Sequence, residues 1–488
     1  MADNQNSYKQ IVKATSLFGG VQVFNIIIAI IRSKFIAVLL GPTGMGIAGL
    51  LTSTTGLIAG LTNFGLGTSA VKNVAEANGT GNQIRVSTIV TVLRRLVWIT
   101  GLLGAILTIV LSPWLSQLTF GNKDYTLAFI YISITLLLNQ LSSGQMVVLQ
   151  GLRKLQYLAK ANLSGSVLGL LISIPMYYVW GIKAIVPTII ISSLVALVLS
   201  WYFSQKIKLE PVNVSKARTI AEGKNMLVMG FMISLSGLIT IGVGYIVRVF
   251  ISHTGGVEQV GLYNAGFSII ITYVGMIFTA MATDYYPRLS AVANNNELSK
   301  KTINEQAEIA LLILAPVIMV FLVFINWVII ILYSNKFIAV NEMVHWAAMG
   351  MLFKAASFPI GYIFLAKGDS KMFLFSEVLA NTYILFFNIL GYYFFKLDGL
   401  GISFLIGYIF VYVQVYIIAK VKYSFSFTKT FVRIFFIQFV LTVVCFVITK
   451  WIDKPYSCII GSFLIAASAW FSFKELDKRI GIKVKLFN

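Results

Sequence analysis

The chain has 488 residues, 58% hydrophobic and only 11% charged, and its 38 Lys and Arg outnumber 17 Asp and Glu for a formal net charge of +21. Charge this sparse excludes a soluble globular domain, which carries roughly 25%, and points to a multi-span integral membrane protein. In a soluble protein the basic excess would suggest nucleic acid; in a membrane protein it is what cytoplasmic loops collect.

The N-terminal segment, residues 1–14, is polar. It lacks a small-residue cleavage site after a short apolar core, so no removable signal peptide is expected. Apolar stretches long enough for a helix to cross hydrocarbon then recur at about 15–39, 46–67, 88–111, 126–150, 156–179, 184–203, 225–251, 260–283, 307–333, 343–366, 372–395, 399–419, 431–449 and 457–473. They predict an all-α polytopic membrane protein of about fourteen transmembrane helices. The longest connections, at about 68–87, 204–224 and 284–306, are polar. Cys445 and Cys458 lie in or beside spans, so no disulfide framework is implied. His253 and His345 are far apart, and no metal-ligand spacing appears. No cofactor is expected.

An even number of spans puts both termini on one side. With the N-terminus inside, the inner segments hold 28 Lys and Arg and the outer ones 6. This split obeys the positive-inside rule and predicts cytoplasmic termini. With Arg94, Arg95, Lys160 and Arg433, near the inner ends of their spans, counted among the inner cations, four remain deeper within the spans: Arg32, Lys34, Arg248 and Lys354. A cation at bilayer depth is costly unless it faces a partner, water or the interface.

A faint internal repeat runs at an offset of 216: Arg32 meets Arg248, Lys72 meets Arg288, and Ala75, Ala77 and Asn78 meet Ala291, Ala293 and Asn294. Gly46 meets Gly261 one residue out of step. The offset equals six spans and preserves orientation, so the halves are expected to be parallel repeats about an axis normal to the membrane. The expected lobes are 1–210 (spans one to six) and 211–422 (spans seven to twelve). Residues 423–488 would add two spans and a cytoplasmic tail.

Within span one, Gln22, Asn25, Ala29 and Arg32 share one helical face, a polar stripe suited to a cavity wall. Lys34 lies about 200° around the helix from Arg32, on a face of isoleucines, so the two cations do not easily point the same way. Either could instead snorkel to the outer headgroups, as could Arg248 near the outer end of span seven. Lys354 lies near the bilayer centre, where snorkelling reaches poorly, and needs a counter-charge or water. Glu377, Asn381 and Asn388 share a face of span eleven. Glu377 could pair with Lys354, carry a proton, or sit at the interface. Asp284 and Arg288 flank Pro287 at the inner end of span eight and read as a topology anchor or an inner gate. No nucleophile with a base, phosphate-cradling glycine loop or paired carboxylate set appears, so a transporter is expected rather than an enzyme.

The run Gly41-Pro42-Thr43-Gly44-Met45-Gly46-Ile47-Ala48, with Phe120 to Tyr125 and Leu332 to Phe337, then Trp346, Gly350, Lys354, Gly361-Tyr362, Ala366-Lys367 and Glu377, resembles Wzx-type polysaccharide flippases, in the O-antigen and enterobacterial-common-antigen branch. The resemblance covers spans one to twelve. It implies a superfamily, MOP, shared with MATE drug exporters and the peptidoglycan-precursor flippase MurJ, and two six-helix lobes around a central cavity plus two extra helices. It implies an undecaprenyl-pyrophosphate-linked oligosaccharide as substrate, moved across the bacterial inner membrane, with membrane lipids and polysaccharide polymerase machinery as partners and no nucleic acid. The family pattern carries over onto Lys34, Arg248, Lys354 and Glu377. It does not cover Arg32. Where the family often has an Asp three residues before the span-ten lysine, this chain has Met351. Other readings are a peptidoglycan-precursor flippase, a MATE-type drug or cation antiporter, and a scaffold or channel. The antiporter would need several membrane carboxylates, and only Glu377 is a candidate.

Overall fold

A computed structural model describes residues 2–480, and side chains from Phe24 to Arg479 apart from Tyr273, Ala280 and Thr283. The described residues form helices and no strand, as the expected all-α class requires. Backbone groups in hydrocarbon find no water to bond, and a helix satisfies them internally. Among the described residues, eleven stretches are long and apolar enough to cross a membrane. Three of them, Phe24–Thr62, Leu155–Gln205 and Ser370–Tyr423, run to 39, 51 and 54 residues. Each holds two of the expected spans on either side of a backbone break. The breaks are Gly41 (φ 67°, ψ −171°), Gly181 (φ 55°, ψ −134°) and Lys396 (φ 52°, ψ −131°).

The last two breaks are hairpin bends. Tyr157, near the start of the second stretch, stacks on Phe203 near its end, with ring centroids 6.1 Å apart. Asp369, just ahead of the third stretch, accepts a hydrogen bond of 2.8 Å from the hydroxyl of Tyr423, the last residue of that stretch, and pairs with Lys422. Lys422 first, and then Tyr423, hold the Asp369 carboxyl down to about 2.

The chain divides into two compact units, Met1–Gly261 and Leu262–Asn488. The first holds α1 (Ala2–Thr62), α2 (Leu66–Gly79), α3 (Gln83–Phe120), α4 (Thr126–Ile132), α5 (Ile134–Gly151), α6 (Leu155–Trp180), α7 (Ile185–Gln205) and α8 (Lys216–Gly255). Its core packs Leu66, Ala70 and Val74 of α2 against Ile89 and Leu93 of α3, Val148 of α5 and Met226 of α8. Asn82 and Ser215 cap α3 and α8 through their side chains, satisfying orphan N–H groups. Those two helix starts are fastened together. Arg85 pairs with Glu222, and Arg95 donates to the Val214 carbonyl and the Thr219 hydroxyl at 2.7 Å each.

Helix α9 (Val257–Phe267) begins in the first unit. The second holds α10 (Met276–Ala291), α11 (Asn296–Leu332), α12 (Asn341–Ala366), α13 (Ser370–Tyr423), α14 (Lys429–Trp451) and α15 (Tyr456–Ile480). The two last helices are tied to the rest of the unit near both ends and to each other midway. At the end that carries Arg433, Arg479 donates to Glu308 at 2.9 Å and to Glu475 at 2.9 Å, and Arg433 adds a bond of 3.1 Å to Glu475. Midway, Gln438 donates to Ser472 and accepts from Ser468, at 2.9 and 2.6 Å. At the far end Lys450 pairs with Glu342.

The repeat is written in the backbone. Three pairs of left-handed residues recur at an offset of 215: Gly41 with Gly256, Arg153 with Gly368, and Gly181 with Lys396. Gly256 (φ 85°, ψ 170°) reproduces the geometry of Gly41, and Lys396 that of Gly181. The equivalent glycines Gly46 and Gly261 also pack reciprocally. A Cβ at Gly46 would lie 2.0 Å from the Val257 carbonyl oxygen, and one at Gly261 would lie 1.8 Å from that of Pro42. The register here is one residue shorter than the 216 read from Arg32 and Arg248. Measured from the breaks, Arg248 matches Ser33, so the two arginines sit about 100° apart around equivalent helices.

Lys396 adopts a conformation that its repeat mate meets with glycine, and such residues cost about 1–3 kcal/mol. Lys396→Gly is expected to raise stability by about 1 kcal/mol, read as a higher melting temperature in detergent; no gain would refute the strain. Glu308 and Glu475 are buried against Arg479. Arg479→Met strands Glu308, while Glu475 keeps Arg433 and Lys478, and is expected to cost about 3–5 kcal/mol, measured by denaturant unfolding; a loss under about 1 kcal/mol would show that the network does not hold the last helices.

Candidate functional site

Each expected site cation sits in a different local chemistry. Arg32 lies on α1, nine residues before the Gly41 break, and meets α6. Its Nη2 donates to the Ser166 carbonyl at 3.5 Å, and the Ser166 hydroxyl donates to Asn25 Oδ1 at 2.9 Å. Gly169, one turn along α6, makes the room: a Cβ there would lie 2.8 Å from Arg32 Nη2. The polar stripe of Asn25 and Arg32 is thus a helix–helix contact in this conformation. It is not fully satisfied, because the buried Arg32 Nε has no hydrogen-bond partner among the described residues. Gln22, the stripe's first member, lies outside the described side chains. Lys34 is half-buried, two residues on and off the face of Arg32.

Arg248, on α8, is half-buried, and its Nη1 donates to the Gly244 carbonyl one turn back at 2.8 Å. Beside it, Tyr245 closes a chain of buried hydroxyls. Its Oη lies 2.9 Å from Thr119 Oγ1 of α3, which lies 3.2 Å from Thr54 Oγ1 of α1. Three helices are thereby tied at the level of Arg248, and the turn that carries the arginine is held.

In the second unit Lys354 lies mid-helix on α12. Its ammonium stands 5.4 Å from the ring centre of Phe278 on α10 and 5.3 Å from that of Tyr408 on α13. Ring faces attract cations, by about 0.5–2 kcal/mol depending on solvation. They leave the ammonium its full charge. Met351, where the resembling family often has an aspartate, is fully buried. Among the described contacts Lys354 is not paired with Glu377. Glu377 is half-buried on α13, its carbonyl accepting from Asn381 Nδ2 at 2.9 Å. Asn381 and Asn388 are buried on the same face. Asp284 and Arg288 make an i,i+4 pair of 3.8 Å with side chains 84% and 45% exposed, which is worth little by itself. Arg288 also donates to Gln306 of α11 at 2.9 Å.

Sequence reasoning missed Phe278 and Tyr408 around Lys354, Ser166 and Gly169 against Arg32, and the hydroxyl chain under Arg248. The first set carries no signal in a chain this rich in aromatics. Of the hydroxyls, Thr54 was legible within an apolar span, where small polar residues mark helix contacts; Thr119 lies beyond the expected end of span three.

A family model for polysaccharide biosynthesis proteins matches residues 35–345, more than half of the chain. The chain belongs to that family. The lipid III flippase of Escherichia coli (strain K12) is 21% identical over 363 residues, covering 72% of this chain and 85% of the relative. A Shigella flexneri protein named as a candidate O-antigen transporter is 26% identical over 357 residues, covering 71% and 82%. Among solved structures, the lipid II flippase MurJ in an inward closed conformation superposes with a TM-score of 0.74 at 11% identity, over 96% of this chain and 99% of that one. An inward-facing multidrug MATE transporter of the MOP superfamily reaches 0.70 at 14% identity, over 82% and 94%. These structures share the fold, and the relatives in the family are transporters and not enzymes.

Tyr245→Phe breaks the bridge from Thr119 and is expected to cost about 1 kcal/mol, read by thermal unfolding. A loss no larger than that of an exposed Tyr→Phe control would show that the hydroxyl chain does not brace α8.

Proposed function

We propose that the protein is a flippase for an undecaprenyl-pyrophosphate-linked oligosaccharide, an O-antigen or related surface-polysaccharide repeat unit. It carries this lipid from the cytoplasmic to the periplasmic leaflet of a bacterial inner membrane by alternating access. The observation that carries the reading is Lys354, a cation at mid-helix held by two aromatic rings and by no carboxylate among the described residues. A pyrophosphate cannot cross hydrocarbon bare, and charge-assisted hydrogen bonds in a low dielectric are strong. Arg248, and Arg32 or Lys34, supply further positive charge, and the buried Nε of Arg32 is a donor in reserve. On this reading the chain crosses fourteen times with both termini cytoplasmic. Residues 1–210 and 211–422 are equivalent lobes, and 423–488 is an addition. Asp284 and Arg288 stand where the headgroup enters, Glu377 with Asn381 is the place for a coupling proton, and a polymerase at the outer face consumes the product. The names of the relatives support a lipid-linked saccharide. A cation antiporter lacks the carboxylates it would need.

In cells deprived of their own flippase, wild-type protein is expected to restore surface polysaccharide. Lys354→Met and Arg248→Gln, at equal accumulation in the membrane, are each expected to lower it about tenfold or more, the scale of one hydrogen bond to a charged group. Full restoration by both variants would refute the cationic site.

A further inference from the structure

The first unit carries a second cationic feature, on its outer flank. Arg94 of α3 makes no hydrogen bond or ion pair among the described residues, and its Nε is buried and unpartnered. Together with Trp98, Gln145 of α5 and Leu197, Val198 and Trp201 of α7, it lines a pocket of about 420 Å³. Gln145 Oε1 is likewise buried without a partner. The pocket therefore presents one unmet donor of positive charge and one unmet acceptor, a few residues from apolar walls. Trp98, Val198 and Trp201 are half or more exposed, so the opening faces sideways, off the flank of the helices.

The repeat shows what occupies the matching flank in the second unit. At the offset of 215, Leu197 corresponds to Tyr412 and Trp201 to Tyr416. Tyr412 stacks on Phe435 of α14, centroids 6.3 Å apart, and Tyr416 on Phe427 just ahead of it, 5.5 Å apart. There the flank is covered by protein. In the first unit the helix at that place in the chain, α8, packs on α1, α2 and α3 instead, which leaves the flank of α7 exposed and, in a membrane, open to lipid. A half-buried guanidinium framed by tryptophans at the basic end of the helices, with Arg95 and Lys206 close in sequence, suits the headgroup level of an anionic leaflet.

We infer that this pocket is a resident site for an anionic glycerophospholipid of the cytoplasmic leaflet, of the phosphatidylglycerol type. The phosphate accepts from Arg94, a glycerol hydroxyl donates to Gln145 Oε1, and an acyl chain lies along Leu197 and Val198 between the tryptophans. The volume is at the low end of small-molecule sites, roughly 300–1,000 Å³; it admits a headgroup and not a pyrophosphate-linked glycan. The leaflet rests on the orientation given under Proposed function; the lipid chemistry does not.

Native mass spectrometry of the full chain released from mixed phosphatidylglycerol and phosphatidylethanolamine tests the site. Wild type is expected to retain the anionic lipid about fivefold more, Arg94→Gln to lose that preference, and Gln145→Leu to lower it. Equal retention by wild type, or an unchanged preference in Arg94→Gln, would overturn the inference. So would displacement of phosphatidylglycerol by undecaprenyl pyrophosphate, which would assign the pocket to the transported lipid. If Arg94→Gln does not accumulate, tryptophan quenching decides with otherwise native chains. Brominated phosphatidylglycerol should quench wild type more than brominated phosphatidylcholine does, and Trp98→Phe with Trp201→Phe should abolish the difference; equal quenching overturns the site. Translocation is not read in either experiment, so failure here leaves the transport reading untouched.

Discussion

A polypeptide inside hydrocarbon must bond its backbone to itself, so it can turn only where a few residues tolerate unusual dihedral angles. Everything else in this protein is arranged around those places. Gly41, Gly181 and Lys396 divide stretches of 39 to 54 residues into spans of membrane length. The same backbone conformations return 215 residues later at Gly256 for Gly41 and at Lys396 for Gly181. The turns recur more faithfully than the side chains. Lys396 is the case in point, since it holds a glycine's conformation with a lysine.

Against that frame of self-satisfied helices, unpaired charge is the exception that has a purpose. The chain neutralises most of its membrane-edge carboxylates: Glu222 with Arg85, Glu308 and Glu475 with Arg479, Asp369 with Lys422. It does not do so for Lys354, which it surrounds with rings instead. A ring face stabilises an ammonium without cancelling its charge, so Lys354 keeps its positive charge between the two rings. Arg32 keeps one buried donor open in the same sense. Lys354 and Arg32 thus keep positive charge within the membrane-spanning helices.

Much of this was legible in the sequence. Hydropathy placed the spans because length and apolar content answer directly to bilayer thickness. The repeat showed through Gly46 and Gly261, whose one-residue slip from the arginines was the better guide: their register is that of the backbone. Arg32 and Arg248, read as partners, fall on different faces for that reason. Asn25 and Arg32 both meet Ser166, but which helix lies against them depends on Ser166 and Gly169, some 140 residues away, and no local pattern encodes that. The ring pair around Lys354 was illegible for the same cause, since Phe278 and Tyr408 differ from the chain's other aromatics only in where the helices bring them. Glu308 and Glu475 did carry a signal, as carboxylates near the basic ends of apolar spans.

The central claim is that charge held open inside the membrane recognises a pyrophosphate. The direct measurement is equilibrium binding of undecaprenyl pyrophosphate and undecaprenyl monophosphate to the purified protein, at low and high salt. The account predicts tighter binding of the pyrophosphate, and a preference that survives salt because the cations are shielded from it. Equal affinity for the two lipids, or a preference abolished by salt, would contradict it.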